Sequence, residues 1–368
     1  MSEVSEIDPT FFGSPDYVPT TRDIDMKSAR VERGILPDAQ IRFNELLKNK
    51  GWTQITEIEG DGRLPTLDEW VSLRITNRRG TKFFPCFVAD GQKNIFFLKT
   101  QTSNEQGSLA SLADEAKILK QFNQMGLPSP KFYEYGESGG KTLAFIRLEA
   151  ITPDRGRVGK PSDWKVEHAK SAVELIKMME EADLEELPVE LTSIKSFQTG
   201  MKASETMMNL ADQAGEYLPA EIKVSLNKLK ETGAEVGTVL AHGDMTLKNI
   251  VIDKDGKVLP VDFELAKTGF LGQDAGKLLS GLRKNPEVFQ ATLENYITDK
   301  DGQVDEARLR GLVIGMALEN LVHLTWRVKN SVKNDETIAE MNNFIENIKG
   351  ALKIEEQVRS KVTNKSTI

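Results

Sequence analysis

Apolar residues over about 52–100 and 132–148 alternate with polar ones or form short runs, and turn residues separate them. This pattern predicts strands, because side chains on successive strand residues point to opposite faces. The connections between the first three strands are short turns, at 77–80 and 89–91, so these strands are predicted to pair as an antiparallel meander. The predicted strands are 70–75, 81–88, 94–100, 132–135 and 143–148.

Helical periodicity precedes this strand-rich region, interrupts it once and follows it. One helix is predicted from Pro37 to Gly51 and another over about 108–125, because apolar residues recur there every three or four positions. After residue 163 this period dominates, and a hairpin around Lys254-Asp255-Gly256 is the only predicted interruption. The helices predicted for this second part are about 163–182, 191–212, 219–231, 274–283, 287–296, 304–329 and 335–361.

The two patterns divide the chain into three parts of an α+β protein. Residues 1–36 are rich in Asp, Pro, Ser and Thr and predict a tail or arm. Residues 37–147 predict a sheet with one following helix, and residues 148–368 predict a larger, mostly helical unit. The hinge between the two units is predicted at 147–153.

Composition narrows the class of protein. The 368 residues are 39% apolar and 28% charged, which is typical of a soluble globular chain. A net charge of −8 argues against a broad nucleic-acid surface, which needs a basic stripe. A single cysteine, an acidic start and the lack of a long apolar run favour a cytoplasmic protein with no membrane segment.

The most informative motif lies between two apolar runs in the helical part. His242-Gly243-Asp244 is followed by Asn249, and Asp262 follows after the predicted hairpin. The two arms of that hairpin are nearly equal, so Asn249 and Asp262 are predicted to be neighbours. Phosphoryl transfer needs a group that orients a hydroxyl and two oxygen ligands for Mg²⁺. Each fragment alone would be read as a turn or a strand-end cap, but their combination favours catalysis.

This spacing resembles the catalytic and metal-binding motifs of the aminoglycoside phosphotransferase and choline kinase superfamily. The resemblance is strong over about 240–275 and looser over 70–150. It implies a protein-kinase-like two-lobed fold, with a small antiparallel-sheet N-lobe and a larger, mostly helical C-lobe. It further implies Asp244 as the catalytic base, Asn249 and Asp262 as Mg²⁺ ligands, and ATP as the phosphoryl donor.

Two further residues resemble the ATP-orienting ion pair of this superfamily. Lys99 closes the apolar run Ile95-Phe96-Phe97-Leu98, and Glu115 lies on the helix predicted next. A lysine that holds phosphate needs a carboxylate to fix its flexible side chain. The structural alternatives are a solvated strand end for Lys99 and a solvated helix face for Glu115, with the neighbouring Asp114 as a rival partner.

The predicted hinge suggests where adenine binds. Backbone groups of Arg147, Leu148 and Ala150 are expected to face adenine, with Leu148 and Ile146 as apolar walls. The segment would be at the same time an ordinary strand between the two units. In the turn Asn77-Arg78-Arg79-Gly80 the arginines contact phosphate, or the segment is a plain hairpin turn.

Three structural expectations accompany the motif. By resemblance, His242 is a scaffolding residue whose ring bonds nearby backbone. Asp274 resembles the aspartate that opens the helix after the metal loop, which implies a helix cap that ties this loop to the backbone. The acidic run at 180–186 either attracts a cationic substrate or is a solvated helix end.

The sequence therefore predicts a small-molecule kinase that uses ATP and Mg²⁺ to phosphorylate a hydroxyl of an aminoglycoside-, choline- or sugar-like acceptor. Asp274 is only twelve positions after Asp262, which leaves no room for the activation segment of a protein kinase. The alternatives are a protein-kinase-like enzyme and a nucleotide-binding pseudokinase that acts as an interaction module. The acceptor, ATP or GTP preference and oligomeric state are left open.

Overall fold

A computed structural model describes residues 35–55, 57–58, 62–63, 82–83, 86–102, 110–138, 143–151, 161–187, 200–252, 257–330 and 334–365. These residues form two compact units. The first unit contains the described residues up to 151 and those of 248–264, and the second contains the others. The sequence-based division had placed all of 148–368 in one helical unit. Contacts instead group the segment 248–264 with the sheet.

Several predictions concern residues outside the described part of the chain. They are the tail over 1–34, the strand at 70–75, the turn at 77–80, the first residues of the helix predicted at 191–212, and the tip of the hairpin at 254–256.

The first unit is built around an antiparallel sheet. Six described strands form it, in the order β1 (Thr53–Ile55), β5 (Cys86–Ala89), β6 (Ile95–Thr102), β8 (Leu143–Glu149) and β7 (Phe132–Ser138), with β4 (Lys82–Phe83) paired to one end of β6. Within the run predicted at 81–88, the described residues belong to β4 and β5. The elements of this unit are α1 (Ile35–Lys50), β1 (Thr53–Ile55), β2 (Glu57–Ile58), β3 (Gly62–Arg63), β4 (Lys82–Phe83), β5 (Cys86–Ala89), β6 (Ile95–Thr102), α2 (Ala110–Gln124), β7 (Phe132–Ser138), β8 (Leu143–Glu149), β10 (Ile250–Ile252) and β11 (Val258–Pro260).

Helix α1 packs on one face of this sheet. Its apolar residues Phe43, Leu46 and Leu47 are spaced along a single helix face and are buried. They share a core with Leu98 and Phe145 of the two central strands. Gly51 has a φ of +66°, the left-handed conformation that commonly ends a helix.

Helix α2 lies against the opposite sheet face. The backbone N–H of Leu112, in its first turn, donates to Oε1 of Gln101 on β6 at 3.0 Å. Further along the helix, Phe122 meets Phe263 edge to face, with ring centroids 5.1 Å apart. Because Phe263 directly follows Asp262, this contact ties the end of the hairpin to the sheet unit.

The second unit is mainly helical. Helix α8 (Glu306–Asn330) is buried along much of its length and packs against α4 (Gly200–Ala214), α6 (Gln273–Leu282) and α9 (Asp335–Lys365). No described helix has both the length and the apolar character needed to cross a bilayer. The elements are α3 (Val166–Glu180), α4 (Gly200–Ala214), α5 (Ala220–Thr232), β9 (Thr238–Ala241), β12 (Lys267–Phe270), α6 (Gln273–Leu282), α7 (Pro286–Ile297), α8 (Glu306–Asn330) and α9 (Asp335–Lys365), with 3₁₀ turns at Pro161–Asp163, Leu184–Glu186, Gly215–Tyr217 and Gly233–Glu235. Two further 3₁₀ turns, Leu247–Asn249 and Phe263–Leu265, include residues of both units.

Strand β12 was not predicted. It pairs with β9 in antiparallel register from Lys267 opposite Ala241 to Phe270 opposite Thr238. Its sequence, Lys-Thr-Gly-Phe, has one large apolar residue and a glycine, so it carries little strand signal of its own. Pairing with β9 stabilises it, and that pairing depends on tertiary structure.

Candidate active site

In the first unit, Lys99 and Glu115 form a buried ion pair. The Nζ of Lys99 donates to Oε1 and Oε2 of Glu115 at 2.9 and 2.7 Å. The two residues are only 6% and 2% exposed. The rival partner Asp114 has a side chain that is 57% exposed and lies near Lys117. The geometry therefore selects Glu115.

The same ammonium contacts Asp262. The distance from Lys99 Nζ to Asp262 Oδ1 is 2.6 Å. Asp262 has a φ of +71°, a left-handed conformation that aspartate adopts more readily than most residues but that still costs energy. Backbone strain of this kind concentrates at functional sites. We call Lys99, Glu115 and Asp262 the lysine cluster.

Asn249 lies beside Asp262 at the base of the hairpin, as predicted from the equal arms. Strands β10 and β11 pair from Ile250 opposite Pro260 to Ile252 opposite Val258. The ladder continues outward, since the N–H of Val261 donates to the carbonyl oxygen of Asn249 at 2.8 Å. Asn249 is 1% exposed. Asn249, just before β10, and Asp262, just after β11, therefore both lie at the open end of the hairpin.

The lysine cluster carries more negative than positive charge. Burial lowers the pKa of Lys99, but Asp262 and Glu115 more than offset this, so its pKa lies above the ordinary value. Burial raises the pKa of Glu115; Lys99 opposes that rise, while Asp262 and Glu264 add to it. A cation would relieve this excess of carboxylates.

The donor set fits Mg²⁺. Asn249 and Asp262 offer hard oxygen atoms, which this ion prefers. Among the described residues, no three His, Cys, Asp or Glu side chains gather into a metal cage. Mg²⁺ is commonly held by only one or two carboxylates together with substrate phosphates, so such a cage is not required.

In the second unit, the motif residues His242, Gly243 and Asp244 follow strand β9, and we call them the aspartate loop. Its backbone is held by a residue from α6. The carboxylate of Asp274 accepts hydrogen bonds from the N–H groups of His242, at 2.6 Å, and Gly243, at 3.0 Å. Burial raises the pKa of Asp274, and His242 and these amides oppose that rise.

The expectation that Asp274 caps its own helix was wrong. Gly272 occupies the N-cap position of α6, and Asp274 lies inside the first turn. Its carboxylate binds the aspartate loop because the β9–β12 pair and α6 bring that loop to the start of the helix. His242 behaves as expected, since its Nδ1 accepts a hydrogen bond from the N–H of Asp244 at 3.3 Å.

Gly243 cannot be replaced easily. Its φ is +81°, and a Cβ at this position would overlap the carbonyl group of Leu265. Both conditions require glycine, which has no Cβ and adopts left-handed backbone without strain. The glycine therefore allows the chain to turn sharply just before Asp244.

Sequence reasoning missed Lys277. Its Nζ lies 3.2 Å from Oδ1 of Asp244 and 3.8 Å from Oε2 of Glu319 on α8. The one signal that could have found it is its position three residues after Asp274, on the same face of α6. That face contacts the aspartate loop, but only the structure shows it.

Glu180 was also misjudged. Both expectations for the acidic run at 180–186 place its side chains in solvent, yet the Glu180 side chain is only 4% exposed. Its Oε1 accepts hydrogen bonds from the hydroxyl of Tyr296 at 2.8 Å and from the N–H of Gly272 at 3.1 Å. Burial raises the pKa of Glu180 to about 7, although Tyr296, Gly272 and Arg308 oppose the rise. Glu180 thus anchors the residue that begins α6.

The hinge residues divide between two environments. Side chains alternate along β8, so Arg147 lies on the face of Leu98 and Leu148 on the face of Lys99. The Arg147 guanidinium lies 4.6 to 5.5 Å from the centroids of three aromatic rings, those of Phe96, Trp52 and Tyr133. The structure therefore does not bring the Arg147 side chain to the lysine cluster. Leu148 is buried on the cluster's side of the sheet, and Ala150 follows the last paired residue of β8.

Solved structures share this fold. An aminoglycoside phosphotransferase, APH(4)-Ia, in complex with ADP and hygromycin B is 12% identical, with a TM-score of 0.51 over 84% of this chain and 97% of its own. APH(2")-IIia with GDP and kanamycin is 11% identical, with a TM-score of 0.50 over 72% and 90%. A putative aminoglycoside phosphotransferase from Ralstonia eutropha JMP134 is 12% identical, with a TM-score of 0.51 over 76% of this chain and 91% of its own. No curated protein sequence matches the chain.

The fold is that of the kinase-like phosphotransferases among these solved structures. The model of the phosphotransferase enzyme family matches residues 86–312, well over half of the chain. The chain therefore belongs to the phosphotransferase enzyme family. The predicted resemblance to this superfamily and the predicted fold class are both confirmed.

Proposed function

We propose that this protein transfers the γ-phosphoryl group of ATP, with Mg²⁺, to a hydroxyl of a small polar molecule. The observation that carries the proposal is the contact of Lys99 with both Glu115 and Asp262, beside Asn249. A buried lysine held between two carboxylates is positioned for nucleotide phosphates, and its pairing keeps it charged. In this proposal Lys99 binds phosphate oxygens and Glu115 fixes the direction of its side chain.

Asn249 and Asp262 are the proposed metal ligands. When bound there, Mg²⁺ would neutralise charge on the phosphates. The strained backbone of Asp262 and the hairpin that holds Asn249 fix both oxygen donors in advance. Preorganisation of this kind lowers the cost of ordering ligands when substrate binds.

Asp244 is the proposed catalytic base. The acceptor oxygen forms a bond to the γ-phosphorus, and the bond from that phosphorus to the β–γ bridging oxygen breaks. The electron pair of the broken bond leaves with ADP, and the proton of the acceptor hydroxyl passes to the carboxylate of Asp244. Asp274 supports this step by fixing the backbone on the N-terminal side of Asp244.

The adenine site is proposed at the end of β8. Leu148 supplies an apolar wall, and backbone groups near Ala150 supply hydrogen bonds. Among the predicted residues, Arg147 contributes at most backbone, since its side chain is engaged with aromatic rings on the other sheet face. APH(2")-IIia was solved with GDP, so GTP is tested beside ATP as donor.

A small acceptor is favoured over a protein. Between Asp262 and Asp274 the chain forms a 3₁₀ turn, strand β12 and the start of α6. Because these elements occupy the segment, no long loop remains there to dock a peptide as the activation segment of a protein kinase does. Aminoglycoside-, choline- and sugar-like hydroxyl compounds are therefore the acceptors to test first.

The test is ADP formation across a library of such acceptors, with ATP or GTP and with Mg²⁺ or EDTA. Asp244→Asn should lower kcat by about 100- to 10,000-fold, the usual contribution of a general base, and leave a measurable residual rate while nucleotide still binds. Asp301→Asn, at an exposed position of the second unit, serves as the matched control. Transfer by Asp244→Asn at the rate of the unchanged protein would remove Asp244 from the mechanism. Phosphoryl transfer in EDTA would show that the reaction does not need Mg²⁺.

A further inference from the structure

Lys277 stands between two carboxylates. Its ammonium lies 3.2 Å from Asp244 and 3.8 Å from Glu319. The side chains of these three residues are 20% to 27% exposed, so the group lies at the edge of the second unit, in partial contact with solvent. Ion pairs at such depth are screened less than surface pairs, which makes the contact with Asp244 stronger than an exposed one.

Helix α6 contacts the aspartate loop twice. Asp274 and Lys277 are three residues apart and therefore share one helix face. The first holds the backbone N–H groups of His242 and Gly243, and the second holds the side chain of Asp244. One rigid element thus fixes both the position of the loop and the direction of its carboxylate.

The position of α6 is itself well defined. A Cβ at Gly276 would lie 2.7 Å from backbone atoms of Gly315 and Met316, so α6 and α8 approach backbone to backbone. Lys277 follows Gly276 directly, and Glu319 is one turn beyond Gly315 on α8. The close crossing therefore places the ammonium between Asp244 and Glu319.

We infer that Lys277 is a positioning residue for catalysis, one that holds the Asp244 carboxylate through Oδ1 in the orientation needed to receive the acceptor proton. This inference rests on the proposed function, because it gives Lys277 a role in the same phosphoryl transfer. Glu319, whose Oε2 lies 3.8 Å from the Lys277 ammonium, helps to keep that ammonium charged and in place beside Asp244.

The charges around Lys277 support a permanently charged ammonium. Glu319 faces it from α8, Asp244 from the aspartate loop, Asp274 from its own helix, and Lys267 from β12. Burial lowers the pKa of Lys277, but Glu319, Asp244 and Asp274 outweigh this effect and leave the pKa above its ordinary value. Lys277 therefore acts as a fixed cation.

The experiment compares Lys277→Met, which keeps a long unbranched side chain but removes the charge, with Lys277→Arg, which keeps the charge. Lys170→Met, an exposed lysine on α3, is the control for loss of a positive charge in the same unit. Each variant is assayed for kcat and for the KM of ATP, alone and combined with Asp244→Asn, using the acceptor identified for the unchanged protein. Thermal unfolding of every variant is measured in parallel.

Lys277→Met should lower kcat by about 10- to 100-fold, the usual cost of a misplaced catalytic group, and leave the KM of ATP within about twofold. Lys277→Arg should recover most of kcat, and Lys170→Met should behave like the unchanged protein. In the Asp244→Asn background, Lys277→Met should cause no further loss, because the lysine acts through Asp244.

Two results would overturn the inference. One is a kcat for Lys277→Met equal to that of the unchanged protein, even if its thermal midpoint falls, since the ion pair would then be purely structural. The other is a loss of kcat from Lys277→Met in the Asp244→Asn background as large as the loss it causes in the otherwise unchanged protein. That result would mean that Lys277 acts independently of Asp244. Failure of the proposed function is separate, because it would appear as no transfer by the unchanged protein to any acceptor.

Discussion

Lys99 and Asp262 are 163 residues apart in the sequence, yet the Lys99 ammonium lies 2.6 Å from the Asp262 carboxylate. The fold brings them together by packing the segment 248–264 with the sheet that carries Lys99. Since Lys99 is also paired with Glu115, removal of the Asp262 charge leaves the lysine with a partner.

Asp262→Asn should therefore separate metal binding from folding. Asparagine tolerates left-handed backbone, so the φ of +71° can be retained. We expect Mg²⁺-dependent nucleotide affinity to fall by at least about tenfold, as is usual when a metal site is altered, with little change in the thermal midpoint. Titration calorimetry with ATP, with and without Mg²⁺, measures this. An unchanged Mg²⁺ requirement would contradict a metal-binding role for Asp262.

Gly243→Ala should distort the aspartate loop. The alanine meets two penalties, a left-handed backbone that costs about 1–3 kcal/mol and an overlap with the Leu265 carbonyl group. Gly302→Ala is the matched control, because Gly302 has a φ of +77° but no neighbouring atom within 4 Å of its would-be Cβ. Denaturant unfolding and phosphoryl transfer should both be impaired more in Gly243→Ala, and equal losses of stability in the two variants would argue against the overlap.

Gly276→Ala should push α6 away from α8. Its Cβ would lie 2.7 Å from Gly315 backbone, and overpacking of this kind costs about 1–3 kcal/mol. Gly350→Ala, on α9 with open space around it, should instead stabilise the protein by about 0.5–1 kcal/mol, because alanine is the better helix former. Opposite shifts in the free energy of unfolding are expected. A neutral effect of Gly276→Ala would mean that the two helices can separate at little cost.

Glu180 should make stability depend on pH. Its folded pKa is about 7, raised from 4.5, so the folded state binds the extra proton between these values. The contribution of the protonated group to stability is complete below about pH 4.5 and is lost as the pH rises through about 7, on the order of 3 kcal/mol in all. Glu180→Gln, which is neutral at every pH, should reduce the difference in unfolding free energy between pH 5 and pH 8. A difference as large as in the unchanged protein would assign the pH dependence to other groups.

The sequence by itself determined the fold class, and it supplied the residues for which a catalytic or metal-binding role is proposed. Periodic apolar positions predicted the helices, because a helix buries one face. The charged motif was recognisable because its two carboxylates and one carboxamide follow apolar runs at a spacing that suits phosphoryl transfer. The equal arms of the hairpin even placed Asn249 next to Asp262, since a hairpin is a local structure fixed by its own residues.

Only the tertiary structure decided which side chains share an environment. In the structure the Arg147 side chain packs among aromatic rings, and the Asp274 carboxylate binds backbone N–H groups of the aspartate loop. Glu180 is buried and accepts a hydrogen bond from Gly272, and the Lys277 ammonium contacts Asp244. Each of these contacts joins residues that are distant in the sequence or depends on which helix face meets which neighbour. Local patterns carry no such information, because the packing of whole elements determines it.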